Sequence, residues 1–195
     1  MNQTNKKYIM KTKWMIVNML TFALLLIEST VNAQTVMVGE EQMYPKKNII
    51  ENAVNSKVHT TLVAAVKAAD LVTTLQGKGP FTVFAPVNDA FENLPAGTVE
   101  KLLKPENKAM LTKVLTYHVI AGNYNFDALA KAIKAGGGKS VMKTVSGGSL
   151  TFMMNGEHNI TITDEGGATA TISTYDVNQS NGVIQVIDKV LMPKM

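Results

Sequence analysis

The 195-residue chain contains no cysteine, and all 19 of its basic residues are lysine. Without cysteine there is no disulfide framework, no thiolate metal site, no thiol nucleophile and no lipid-modified N-terminal cysteine. A chain of this length can bury a core without such staples. Without arginine the chain also lacks the usual bidentate reader of phosphates and guanine edges. Histidine is scarce too. His59, His118 and His158 lie too far apart in sequence to suggest a metal site, and Asp164-Glu165-Gly166-Gly167 lacks the ligand pattern of a calcium loop. Met37 and Met43 have no third soft ligand nearby, so copper is not expected either. There is no Gly-x-Ser-x-Gly elbow and no Arg-Gly-Asp. The chain is therefore read as neither an enzyme nor a cofactor carrier.

What is present begins with an export signal. Lys6, Lys7, Lys11 and Lys13 precede an apolar run from Trp14 to Ile27, and Val31-Asn32-Ala33 supplies a small residue for cleavage. The apolar run is shorter than the ~20 residues a bilayer span requires. Residues 1–33 are predicted to be removed between Ala33 and Gln34, leaving no stable membrane anchor. Those four lysines and Glu28 go with the signal, so the formal charge falls from +4 to +1. No basic field remains to argue for nucleic acid. The product is expected in the periplasm or outside the cell.

Residues 34–44 are read as a flexible lead-in and 45–194 as one α+β domain. Helical spacing marks a short helix over 48–55, a second capped by Thr60 or Thr61 and running through Leu62, Val63, Val66, Ala69, Leu71 and Leu75, a block over 98–115 punctuated at Pro105, and a last helix capped by Asn125 or Asp127. After Lys139 the period becomes two, with short strands separated by glycine turns. The run from Val183 to Leu191 is apolar on both faces, so it belongs in the middle of the structure.

Three blocks carry more than pattern. Phe81-Thr-Val-Phe-Ala-Pro-Val-Asn-Asp-Ala-Phe91 reads as a strand that stops at a proline, with Asn88 placed to cap the helix that follows. Together with Tyr117-His118-Val119-Ile120 and Asn181-Gly-Val-Ile-Gln-Val-Ile-Asp-Lys-Val-Leu-Met-Pro193, this stretch resembles the signature of fasciclin-like domains. The resemblance covers Tyr44 to Lys194. It implies a β-sandwich-like wedge with helices packed around it, and a secreted adhesion or interaction module meeting an extracellular protein or glycan. The alternative, from the methionine and aliphatic surplus of the hairpins, is a carrier of a small apolar ligand such as a lipid or pigment. Val87 stands where relatives commonly have threonine or serine, and Gln185 where they frequently have histidine.

Five residues follow as candidates. Tyr117 and His118 occupy the position of a tyrosine–histidine motif linked to adhesion in some relatives; the reading preferred is that both rings are buried in the core with their polar tips satisfied. His118 and Asp188 with a serine could form a triad, which only geometry can decide. Asp188 shares a face with Ile184, Val186 and Val190, so it is expected to be a buried, hydrogen-bonded latch. Asn88 is a second latch. In the Leu150–Ile162 hairpin, Asn155-Gly156 invites a two-residue turn that would pair Phe152 with Asn159, whereas a three-residue loop at Met154-Asn155-Gly156, the register expected, pairs Phe152 with His158 and puts Leu150, Phe152, Ile160 and Ile162 on one buried face. Met153 then lies on the opposite side, as the hairpin residue to test for ligand contact.

Overall fold

The computed structural model describes residues 35–194. The expected signal segment and the Ala33–Gln34 junction lie outside them. The first described element is a hairpin of β1 (Val36–Val38) and β2 (Glu41–Met43). This corrects the expectation of a flexible lead-in. Val38 and Met43 are both buried in the core, so the short segment is tied down by its own apolar residues.

Three helices follow: α1 (Ile49–Ala53), α2 (Thr60–Ala68) and α3 (Val72–Gln76). The first begins with a capping box, in which Asn48 accepts from Glu51 N–H and the Glu51 carboxylate accepts from Asn48 N–H. Then come β3 (Phe81–Pro86), α4 (Asn88–Glu92), α5 (Thr98–Leu102), α6 (Lys108–Tyr117), β4 (Val119–Ala121) and α7 (Phe126–Ala135). The chain ends in β5 (Lys139–Lys143), β6 (Ser149–Met154), β7 (Ile160–Thr163), β8 (Thr169–Gln179) and β9 (Gly182–Ile187).

Seven strands form one sheet in the order β4-β3-β9-β8-β7-β6-β5. Only β3 and β9 pair in parallel; the other neighbours are antiparallel. Every residue of β9 is buried, as a strand covered on both faces must be. Strand β8 spans eleven residues, and register shifts on either side of Thr174 let it serve β9 at one end and β7 at the other. In one of these irregular stretches Asp176 adopts a left-handed backbone, with φ +57°.

The sheet separates two apolar clusters. Val83 and Ala85 of β3 join Ile184 and Val186 of β9 beneath α1 to α3, together with Leu62, Val66 and Leu75. Phe84, Ile187 and Leu191 belong to the other cluster with Leu129 and Ile133 of α7 and Leu150, Phe152, Ile160 and Ile162 of the hairpin. This period-two split carries the fold, since each large side chain fully buried contributes about 1.5–3 kcal/mol.

Two sequence expectations need correction. The β9 ladder stops at Ile187, so Asp188 and Lys189 turn outward and are exposed; the alternation does not continue to Leu191. In the hairpin, Phe152 faces Ile162 and Met154 faces Ile160, neither of the pairings considered above. Asn155 N–H closes on Asn159 carbonyl at 2.7 Å, leaving Gly156-Glu157-His158 as the loop. Gly156 takes φ +78° there. The shift is an even number of residues, so the buried face is the one expected although the register is not.

Candidate functional site

Tyr117 ends α6 and His118 follows it, and both side chains are buried; Tyr117 is 0% exposed. The Tyr117 hydroxyl donates to Ser149 carbonyl at 2.8 Å and accepts from Glu165 N–H at 3.0 Å. Burial pushes its pKa up to about 12; the Glu165 N–H works against the shift, and the Glu165 and Asp164 carboxylates add to it. The ring lies against Gly148, where a Cβ would stand 2.7 Å from Tyr117 Cε2. A glycine is required at that turn.

Both nitrogens of His118 are committed. Nδ1 lies 2.8 Å from the Val114 carbonyl, and Leu191 N–H donates to Nε2 at 3.0 Å. Since Nε2 accepts, the proton sits on Nδ1 and the ring is neutral. Burial lowers its pKa to about 4, against the Val114 hydrogen bond and the Asp164 carboxylate, which act to raise it. The backbone around the pair is tied as well. Phe84 N–H donates to His118 carbonyl at 2.9 Å, and Val145 N–H to Val119 carbonyl at 2.8 Å. Tyr117-His118 thus joins α6, β3, the β5–β6 turn, the β7–β8 turn and the C-terminal segment.

Asp164, unassigned by sequence, completes this clasp. It is buried, its Oδ1 accepts from Gly166 and Ala168 N–H, and its Oδ2 accepts from Met192 N–H, each at 2.9 Å. Glu165 beside it is exposed, and hydrogen bonds from Ser149 and Lys194 N–H lower its pKa. The signal in the sequence was the Asp-x-Gly turn itself, in which a carboxylate bonds its own backbone two residues on.

Asp188 and His118 are not brought into a triad. The Asp188 carboxylate instead accepts from Thr171 N–H at 2.7 Å, on the exposed edge of the β8–β9 pair. Asn88 does not cap its own helix. Val87 holds the cap position of α4, and Asn88 reaches across to the start of α2. Its Oδ1 accepts from Thr61 N–H (3.1 Å) and Thr60 hydroxyl (3.2 Å), while its Nδ2 donates to Lys57 carbonyl (2.9 Å).

Met153 is 46% exposed on the outer face of β6. The registers align it in a row Lys139, Met153, Thr161, Thr171 across four strands, beside a second row Val141, Thr151, Thr163, Thr169. All eight side chains are half-buried or exposed. Strands lie about 4.8 Å apart, so this is a continuous grid of hydroxyl and methyl groups, bearing positive charge only at the β5 edge. Thr163 and Thr169 hydroxyls are 3.1 Å apart across it. Sequence reasoning missed this face, although Ile160-Thr-Ile-Thr163 and Thr169-Ala-Thr-Ile172 spell it out. Among the described residues, no group of three or more His, Asp or Glu side chains could hold a metal, and no helix is long and apolar enough to cross a membrane.

Comparison with known proteins places this geometry. The chain is 43% identical over 175 residues to protein sll1483 of Synechocystis sp., covering 90% of this chain and 88% of that protein. It is 34% identical over 146 residues to cell surface glycolipoprotein MPB83 of Mycobacterium bovis, covering 72% of this chain and 58% of that one. A solved structure of a FAS1 domain pair from the insect cell adhesion molecule Fasciclin I superposes with a TM-score of 0.66 at 20% identity, over 76% of this chain and 51% of that one. The fold is thus shared with an adhesion molecule, and the relatives include a cell-surface protein. The model of the Fasciclin domain matches residues 57–193, and the chain belongs to that family.

Proposed function

We propose that the chain, once exported, is a non-enzymatic interaction module at the cell surface or in the extracellular matrix, and that the threonine face of β5 to β8 contacts its protein or glycan partner. The observation that carries this reading is the two-row grid centred on Thr151, Thr161, Thr163 and Met153. A polar surface with two apolar elements, Met153 and Val141, suits such a contact, because hydroxyls match a partner's hydrogen bonds and methyls exclude water. The signal-like N-terminus and the cell-surface and adhesion names of the relatives support export and surface action. The Tyr117-His118 pair is read as frame, because a neutral imidazole with both nitrogens engaged is not available to a partner or to acid–base chemistry. The carrier reading based on the hairpin loses support, since Met142 and Met154 pack against the second core and leave Met153 alone outside.

The test is binding of fluorescently labelled protein to intact cells of the producing organism and to its isolated envelope polysaccharide. The double variant Thr161→Lys/Thr163→Lys should keep its melting temperature and lose binding at least ten-fold. Unchanged binding would move the contact to another surface.

A further inference from the structure

A second feature lies on the other side of the sheet, in the helical half. Between α1 to α3 and strands β3 and β9 lies a cavity of about 170 Å³. Ile50, Leu62, Val66, Leu75, Val83 and Ile184 are among its walls. All six are buried, so the space belongs to the first core and is not a groove on the surface. Side chains in a well-packed core leave few gaps larger than a water molecule, whose share of liquid volume is about 30 Å³. This space is several times that size.

The lining presents carbon and almost nothing else. Residues on it that own polar atoms turn them elsewhere. Both nitrogens of His118 are bonded, and the Thr116 hydroxyl donates to Thr112 carbonyl at 2.7 Å. His59 Nδ1 is held by Ser56 hydroxyl at 2.8 Å, and its Nε2 lies against the Ala85 carbonyl, out of reach from the cavity. Lys67 and Thr74 are exposed residues of α2 and α3. A space bounded in this way gives water no foothold, because a buried water needs two to four polar partners.

From this we infer that the cavity is a binding site for one small neutral hydrocarbon that carries no polar group. The size follows from the volume: an apolar cavity of about 150 Å³ accepts benzene, so this one suits a benzene-sized ring bearing a methyl group, or a short branched chain. The chemistry follows from the lining. A hydroxyl or an amine brought inside would shed its water and find no partner, and a carboxylate would lose more still. The walls also hold their shape. Val66, Val83 and Ile184 are β-branched and stiff at χ1, so they do not swing inward to close the space. Val54 and Val145, each about half exposed, mark where the lining meets solvent. The site lies apart from the threonine face and from Met153, and is independent of the role proposed for that face.

The test compares toluene with phenol, which have equal numbers of non-hydrogen atoms and differ only by a methyl in place of a hydroxyl. Titration calorimetry and thermal shift on the exported protein should show toluene binding saturably at one site per chain. Phenol should bind at least ten-fold more weakly, because its hydroxyl finds no partner inside. Methyl NMR on the wild-type protein locates the site without any variant. The resonances of Val66, Leu75, Val83 and Ile184 should move with toluene, and those of Leu150, Ile160 and Ile162 in the second core should stay put. Leu62→Ala, which widens the space, should admit mesitylene, which the wild type rejects. Val66→Phe, which fills the space, should lose toluene binding. Absence of saturable toluene binding to the wild type would overturn the inference. So would phenol bound as tightly as toluene, or methyl shifts confined to the second core.

Discussion

Asp176 and Gln185 hold each other across the β8–β9 pair. Asp176 N–H donates to Gln185 Oε1 at 3.0 Å, and Gln185 Nε2 donates to Asp176 Oδ1 at 2.9 Å. Each also serves a third element, since Asp176 Oδ1 accepts from Phe126 N–H at the start of α7 and Gln185 donates to Tyr124 carbonyl. Gln185 is fully buried. Gln185 is thus the polar hub of the central strand. It fixes the irregular stretch of β8 and positions α7 at the same time.

Gln185→Leu should therefore destabilise the domain by about 2–3 kcal/mol, because it strands Asp176 N–H and Tyr124 carbonyl in the interior. Asp176→Asn keeps the acceptor, and asparagine tolerates the left-handed backbone, so it should cost less than about 1 kcal/mol. Urea unfolding of the two variants checks the order. Equal losses would mean that the carboxylate charge, and not the shared hydrogen bonds, holds the bulge.

Tyr117 offers a graded test of the clasp. Tyr117→Phe removes only the bonds to Ser149 carbonyl and Glu165 N–H and should cost about 1–3 kcal/mol. Tyr117→Ala also leaves a cavity in the second core and should cost about 3–5 kcal/mol. Cell binding by the folded Phe variant should equal that of the wild type. A Phe variant with native stability and lost binding would restore Tyr117 to a role in recognition.

These residues show where sequence reasoning reaches and where it stops. The central place of β9 was legible because Val183 to Ile187 is apolar on both faces, a local property. The end of its ladder was not, since whether Asp188 pairs inward depends on β8, whose bulges no local pattern announces. The buried face of the hairpin was legible from alternation, whereas its register was set by closure at Asn155–Asn159 and not by the Asn-Gly turn preference. Tyr117 and His118 could be placed near the core. Their partners Ser149, Glu165 and Leu191 lie tens of residues away, and only the folded chain brings them together.

Asp188 carries a smaller stake than a buried latch would. Its carboxylate is exposed, and the Thr171 N–H that it accepts can turn to water when it is gone. Asp188→Ala should cost less than about 1 kcal/mol, the net worth of an ordinary hydrogen bond. A loss of several kcal/mol in chemical denaturation would show that the carboxylate orders more of the β9 terminus than the single contact to Thr171.

His118 predicts how stability responds to acid. In the folded chain Nδ1 faces the Val114 carbonyl and Nε2 faces the Leu191 N–H, a donor, so a second ring proton would meet a donor head-on. Burial of the ring holds its pKa near 4, below the ordinary value of 6.5 that applies once the chain unfolds. Above pH 6.5 the ring is neutral in both states and the contribution is fully present. As pH falls from 6.5 towards 4, the unfolded chain takes up the proton first and pulls the equilibrium towards itself. The loss is at most about 1.4 kcal/mol per pH unit, or roughly 3 kcal/mol by pH 4. Below pH 4 the folded ring is protonated too, and the Leu191 bond is broken. His59, also depressed, pushes the same way, so the wild type must be compared with His118→Gln, which keeps His59. Unfolding in urea at pH 7.5, 5.5 and 4.5 should show the wild type's advantage over the variant shrinking as pH falls. Parallel profiles would mean that the imidazole of His118 is not the group being titrated.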